Sequence, residues 1–209
     1  IGCSTGSLLC KMSDNQSGKK DLNFIGIEPQ DKFCEVTTKK LNSRPQIINS
    51  THTFKIEQCS VTDFEFIVSD RSRYLIKKDV IDYLPRKIVN LHPSFLPWNR
   101  GYHPNYWPIK EGTPYGVTLH FIDEGIDTGA IIAQTRVFYS EEDTLRTTYN
   151  RLRRLMVSLF KVCWPELRNE QMTEKPQNKS DGSLHYKKDF KGVFENLPNG
   201  WDTKVKDIL

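Results

Sequence analysis

The chain has 209 residues, of which 37 % are hydrophobic, 27 % charged and 11 % aromatic. That suffices for one good core or a domain with an appendage, and it argues against disorder. The formal charge of +4 is too mild for a mainly electrostatic nucleic-acid binder, but it suits a phosphate-bearing small substrate.

Residues 23–27 (NFIGI), ahead of Pro29, read as a buried strand. Phe33, Val36, Thr37 and Leu41 come next at helical spacing, and residues 46–48 suggest a second strand. Residues 63–68 (DFEFIV) alternate and then turn fully apolar, as a central strand does. Val80, Ile81 and Leu84 mark a helix stopped by Pro85, and residues 87–91 (KIVNL) are the next strand. Strands and helices alternating over short connections predict a parallel α/β sheet. Residues 116–121 (GVTLHF) and 130–139 then read as strands around a polar loop, DEGIDTG, the pattern of a hairpin.

Thr144 caps a helix whose apolar stripe is Leu145, Tyr149, Leu152, Leu155, Met156 and Leu159, with Pro165 at its end. Residues 168–183 are polar and read as a linker or arm. Leu184, Tyr186, Phe190, Phe194, Leu197 and Trp201 make the last stretch too apolar to float. It is expected to dock on the core or on a second subunit, which favours a homodimer. The expected division is a catalytic domain over residues 1–165 and a C-terminal arm over 166–209.

The five cysteines are scattered, odd in number and without a Cys-x-x-Cys pair. They fit free thiols in a reducing cytosol better than a disulfide framework or a zinc site. The first residues lack the order of a signal peptide, and the apolar runs are too short for a transmembrane helix. A cytoplasmic protein without membrane or nucleic-acid partners is expected.

The chemistry concentrates after the KIVNL strand, in NLHPSFLPWNRG, where an open α/β sheet places its sites. Asn90 and His92 are two apart, so on a strand they point the same way. Pro93 and Pro97 stiffen the loop beyond the strand. An amide and an imidazole on one rigid edge have the geometry to stabilise an oxyanion. Asp127, between glycines in the downstream loop, is placed to orient the imidazole or accept a proton. His103 and His120 read as a polar loop residue and a strand residue, and no metal cluster is evident.

The stretch NLHPSFLPWNRG resembles the signature of the folate-dependent formyltransferases, and VTLHFIDEGIDTGAIIAQ resembles that family's second motif. The resemblance implies a catalytic set of Asn90, His92 and Asp127. It implies the co-substrate N10-formyltetrahydrofolate, held by Arg73, Tyr74 and Leu75 and by Ile122, Asp123, Gly125 and Ile126. It implies a Rossmann-like parallel sheet of the formyltransferase type, with a C-terminal β-hairpin/helix extension and no metal. Residues 1–8 are then expected to be the end of a first strand and the turn after it, with the start of the chain trimmed.

The string RGYHPNYW resembles the branch that formylates nucleotide-linked amino-dideoxysugars, of the dTDP-4-amino-4,6-dideoxyglucose type. Such enzymes serve surface polysaccharide (O-antigen) synthesis. Arg100, His103 and Asn105 are candidate donors to a pyrophosphate, and Tyr102, Tyr106 or Trp107 candidate stacking partners for a sugar or base. A glycinamide ribonucleotide formyltransferase fits the length but not this string. A methionyl-tRNA formyltransferase is expected to carry a further basic β-rich domain, for which about 40 residues after the helix do not suffice. A non-catalytic folate-binding relative is expected to lose the catalytic set.

Overall fold

The computed structural model describes residues 6–14, 20–28, 48–49, 66–70 and 75–209. The helix expected from Phe33 to Leu41 lies outside them, as do Arg73 and Tyr74. Two compact units meet in sequence between Asn90 and Leu91.

In the first unit, β1 (Gly6–Asp14) and β2 (Lys20–Glu28) pair antiparallel, from Ser7 opposite Ile27 to Asp14 opposite Lys20. Five residues separate these strands; a parallel pair needs a crossover of about a dozen or more. β1 is antiparallel to β4 (Phe66–Asp70) as well, while β2 runs parallel to the short β3 (Ile48–Asn49). The α/β class stands, but the sheet is mixed here and not wholly parallel. The first strand also continues from Gly6 to Asp14, where a turn was expected by Leu8.

Phe66, Ile67 and Val68 of β4 are buried, as are Ile88 and Val89 of β5 (Ile88–His92). An unbroken apolar run is what a strand covered on both faces requires. Between them, α1 (Lys78–Tyr83) buries Val80 and stops before Pro85, with the Leu84 N–H returned to the Val80 carbonyl.

The second unit carries β6 (Arg100–Gly101), α2 (Trp107–Glu111), β7 (Gly116–Phe121), β8 (Ile131–Arg136), α3 (Leu145–Leu167) and β9 (Leu184–His185). β7 is buried at every residue and forms the expected antiparallel pair with β8. Their register slips at Leu119/His120, where β8 carries one extra residue, Ile132. The α3 start is a capping box between Thr144 and Thr147. Its buried face is Leu145, Thr148, Leu152, Met156, Cys163 and Leu167, so the helix runs two residues past Pro165. The chain end docks within this unit: Phe190, Val205 and Ile208 join Tyr106, Ile109 and Leu145 in one core cluster.

Asp143 ties the turn before α3 together. It accepts two bonds from Arg151 (2.8 and 3.0 Å), one from the Ser140 N–H (2.9 Å) and one from the Thr147 hydroxyl (2.9 Å). The Arg151 guanidinium holds its carboxyl down to about 2. A depressed folded value contributes stability above the ordinary carboxylate range and loses it as pH falls through that range toward the folded one. Asp143→Asn is therefore expected to cost ~1–2 kcal/mol at neutral pH. It should also flatten the acid limb of a stability-against-pH curve measured by urea unfolding.

Candidate active site

His92 closes β5 and is buried. Asn90 precedes it by two on the same strand, half-buried, so the strand's alternation sends both side chains to one face. The chain then turns through Pro93–Asn99 under close control. The Ser94 carbonyl accepts the Thr118 hydroxyl (2.7 Å), the Leu96 N–H donates to that same hydroxyl oxygen (3.1 Å), and Gln134 donates to the Leu96 carbonyl (2.8 Å). The loop is thus pinned to β7 and β8.

This pinning brings the Asn99 carbonyl back to His92, whose Nε2 lies 3.1 Å away. A carbonyl only accepts, so Nε2 carries the hydrogen. Its Nδ1 faces Asp127 Oδ1, at 3.6 Å. Burial lowers the His92 pKa below the ordinary imidazole value, although Asp127 pulls the other way.

Asp127 sits in the loop between β7 and β8, at φ 52. Its Oδ2 accepts the Gly101 N–H at 2.9 Å. A second imidazole, His120, brings its Nε2 to 3.6 Å from Oδ1, while its Nδ1 lies 2.7 Å from the Phe121 carbonyl. Burial opposes ionisation of Asp127, yet His92, His120 and the Gly101 amide outweigh it and hold the carboxyl below the ordinary range. The result is a buried carboxylate flanked by two imidazoles and held ionised.

From its sequence context His120 reads as a plain strand residue; the structure makes it a member of the cluster. The available signal is a histidine inside a strand whose other positions are apolar or Thr. Two positions beyond Thr118, it lies on the same face of β7.

The loop that carries Asp127 is self-braced. Asp123 Oδ1 accepts from the Gly125 N–H (3.0 Å) and the Thr128 hydroxyl (2.5 Å). Ile122, Asp123 and Ile126 are partly exposed around it and Gly125 is exposed. Leu75, in the first unit, is 72 % exposed. Among the described residues, no group of three His, Cys, Asp or Glu side chains is set to hold a metal ion.

The candidates that come after the signature separate. Arg100 is buried, its Nη2 only 3.4 Å from the Lys179 carbonyl and its Nε without a partner among the described residues. Tyr102 is 37 % exposed. His103 stacks flat on Phe190 (3.8 Å, 10°), and burial lowers its pKa to about 4, so it would meet an anion as a neutral group. Asn105 has internal partners. Its Nδ2 donates to the Leu145 carbonyl (3.0 Å) and its Oδ1 accepts the Tyr115 hydroxyl (2.7 Å), so it braces the core. Trp107 has one face covered by His185 (4.0 Å, 6°) and its N–H given to the Tyr102 carbonyl (2.8 Å), which leaves that face closed to a base.

Residues 29–161 match the family model described as formyl transferase. A dTDP-4-amino-4,6-dideoxyglucose formyltransferase of Mycobacterium tuberculosis is 32 % identical over 130 residues, 62 % of this chain and 54 % of that protein. The chain thus spans about half the length of the curated relatives it matches. Among solved structures is the formyltransferase PseJ from Anoxybacillus kamchatkensis, in complex with UDP-4,6-dideoxy-4-formamido-L-AltNAc and tetrahydrofolate. It aligns at TM-score 0.72 and 40 % identity over 78 % of this chain and 86 % of that one. The N-formyltransferase from Helicobacter canadensis, in complex with folinic acid and dTDP-3-aminofucose, aligns at 0.57 and 26 % over 68 % and 54 %. The matched residues run from ahead of β5 to within α3, and so include the His92–Asp127–His120 cluster and both loops that build it. The chain belongs to the formyl transferase family.

Proposed function

We propose that this protein transfers the formyl group of N10-formyltetrahydrofolate to the amine of a nucleotide-linked amino-dideoxysugar. The observation that carries the proposal is the buried Asp127 carboxylate, bonded by the Gly101 amide and faced by His92. Two relatives with bound ligands, one a UDP- and the other a dTDP-sugar, each with a folate, support the substrate class. The resemblance favours a dTDP-linked 4-amino-4,6-dideoxysugar, and the relatives add a UDP-linked one as the comparison.

The amine nitrogen attacks the formyl carbon, negative charge builds on the formyl oxygen, and the bond to N10 then breaks. Asn90 donates to that oxygen. The His92 Nε2–H, resting on the Asn99 carbonyl, is the second donor that the developing charge draws over. Asp127 takes the proton that the attacking nitrogen sheds, directly or through one water. The departing N10 regains a proton as tetrahydrofolate leaves. His120 holds the far side of the Asp127 oxygen that His92 faces. On this reading the Ile122–Ile126 loop, braced by Asp123, contacts the folate, and the resemblance assigns Arg73, Tyr74 and Leu75 to the same donor. Arg100, short of internal partners, is the residue for the pyrophosphate, with Tyr102 beside it.

Residues 1–165 are proposed as the catalytic domain and 166–209 as the arm of a cytoplasmic enzyme that supplies formamido sugars for surface polysaccharide. No helix among the described residues is long and apolar enough to cross a membrane. The homodimer is kept on narrower ground than the sequence suggested. Phe190, Val205 and Ile208 are used within the unit, leaving Tyr186 and Phe194 exposed for a second copy; light scattering decides it.

The decisive assay holds the donor fixed and varies the acceptor: dTDP- and UDP-linked 4-amino-4,6-dideoxysugars, glycinamide ribonucleotide and methionyl-tRNA. A formamide product is expected with a sugar nucleotide. Turnover of the ribonucleotide or the tRNA alone would reject the proposal.

A further inference from the structure

Asp127 adopts a left-handed backbone conformation (φ 52) without being glycine, and such a residue persists only where neighbours hold it. The holding group comes from far along the chain. The Gln177 amide donates to two carbonyls at once, that of Asp127 (3.0 Å) and that of Gly129 (2.6 Å). Two residues earlier, Lys175 exchanges both backbone hydrogen bonds with Ile131 (2.8 Å each), which fixes where Gln177 falls. The family match ends at residue 161, so this contribution lies outside the matched segment.

The same stretch also holds the other side of the carboxylate's seat. Gly182 lies so close to the Pro97 carbonyl that a Cβ would run into it. The Ser183 hydroxyl accepts the Asn99 N–H (2.9 Å) and the Ser183 carbonyl accepts the Arg100 N–H (3.0 Å). The His185 carbonyl accepts the Tyr102 N–H (2.8 Å). Between these lies Gly101, whose N–H binds Asp127 Oδ2.

We propose that Gln177 is a positioning residue for Asp127, and that residues 175–185 clamp the Asp127 loop and the Asn99–Gly101 turn into one seat for the carboxylate. The proposal rests on the formyl-transfer reading for its kinetic consequences. A hydrocarbon of the same size fills the space of Gln177, but only a primary amide gives one N–H to each carbonyl. Loss of those bonds frees the loop to relax, and a displacement of about 1 Å at a reacting group can cost on the order of 10²-fold.

The test uses the full chain. Gln177→Leu should lower kcat roughly 10–100-fold with both KM values unchanged and the melting temperature nearly so. Gln177→Glu adds a second readout. Ionised, it sets a carboxylate against two carbonyl oxygens; protonated, it regains one O–H donor. Two carbonyl oxygens facing it favour the protonated acid and raise its pKa, so its deficit relative to wild type should shrink as pH falls from about 8 to 5.5, while that of the Leu variant stays constant. Lys191→Ala, exposed and outside the clamp, should behave as wild type.

Leu-variant turnover within about twofold of wild type, or a Glu-variant deficit indifferent to pH, overturns the positioning role. If the Leu variant fails to fold, the Glu comparison decides. If the wild type transfers no formyl group to any acceptor, the functional reading falls instead. The Asp127 carboxyl carbon resonance then answers the positioning question, moving in Gln177→Leu if the proposal holds and staying put if it does not.

Discussion

Replacing Asp127 by Asn should lower kcat about 10²–10⁴-fold, the usual worth of a positioned proton acceptor, in a protein that still folds. Asn keeps the shape and can still accept the Gly101 N–H, so what is lost is the charge and the basic lone pair. The pH dependence makes the prediction specific. The neighbours of Asp127 hold its carboxyl below the ordinary range, and burial does the same to the His92 imidazole. Groups with depressed values shed their protons early as pH rises, so on the acid side Asp127 is still ionised when the acceptor amine is already protonated. The acid limb of wild-type activity therefore belongs to the acceptor. Asp127→Asn should drop the plateau and leave that limb where it is. Steady-state rates between about pH 5 and 9 check this. A limb that moves with the substitution would return the titration to Asp127, and an unchanged plateau would remove Asp127 from the chemistry. His92→Ala should lose about 10²–10³-fold, as a missing oxyanion donor does.

Gly129→Ala should destabilise the protein by about 1–3 kcal/mol and abolish most turnover, although no side chain is removed. A Cβ at this position would run into the Phe121 carbonyl, and the Asp123 N–H lies 3.3 Å away. These are backbone atoms at the end of β7, which no rotamer change can move. The loop itself must shift, taking the Asp127 and Gly129 carbonyls off Gln177. Gly112→Ala is the control. Its φ of 64 closes α2 in the left-handed region, but nothing lies within 4 Å of a Cβ there. That variant should pay only the backbone cost, about 1 kcal/mol, and keep its activity. Thermal melts with kinetics on both variants separate crowding at the site from glycine's general freedom. Equal activity in the two would show that the Asp127 loop tolerates displacement.

Much of this protein is legible locally. The KIVNL strand ends where its apolar run meets His92 and Pro93, and Thr144 and the stripe after it place α3 to within two residues of its end. The catalytic candidates Asn90 and His92 are readable because period-two geometry fixes them to one strand face whatever surrounds it. The mixed direction of the first sheet is less legible. The run at residues 23–27 marks a strand, but pairing direction depends on the short connection and on a β1 whose sequence, GSLLCKMSD, alternates poorly.

The sequence by itself determined the strand-borne pair, the loop that offers Asp127 and the helices that frame them, because each arises from spacing within a dozen residues. Only the tertiary structure decided that His120 faces the same carboxylate, since the Asp127 loop is held by contacts made far along the chain. It alone decided that Asn105 is a brace, and that Gln177, fifty positions beyond Asp127, holds the loop in place. These depend on contacts between segments distant along the chain. No local periodicity encodes them, because the hydrogen bonds are made only after the core has brought the segments together.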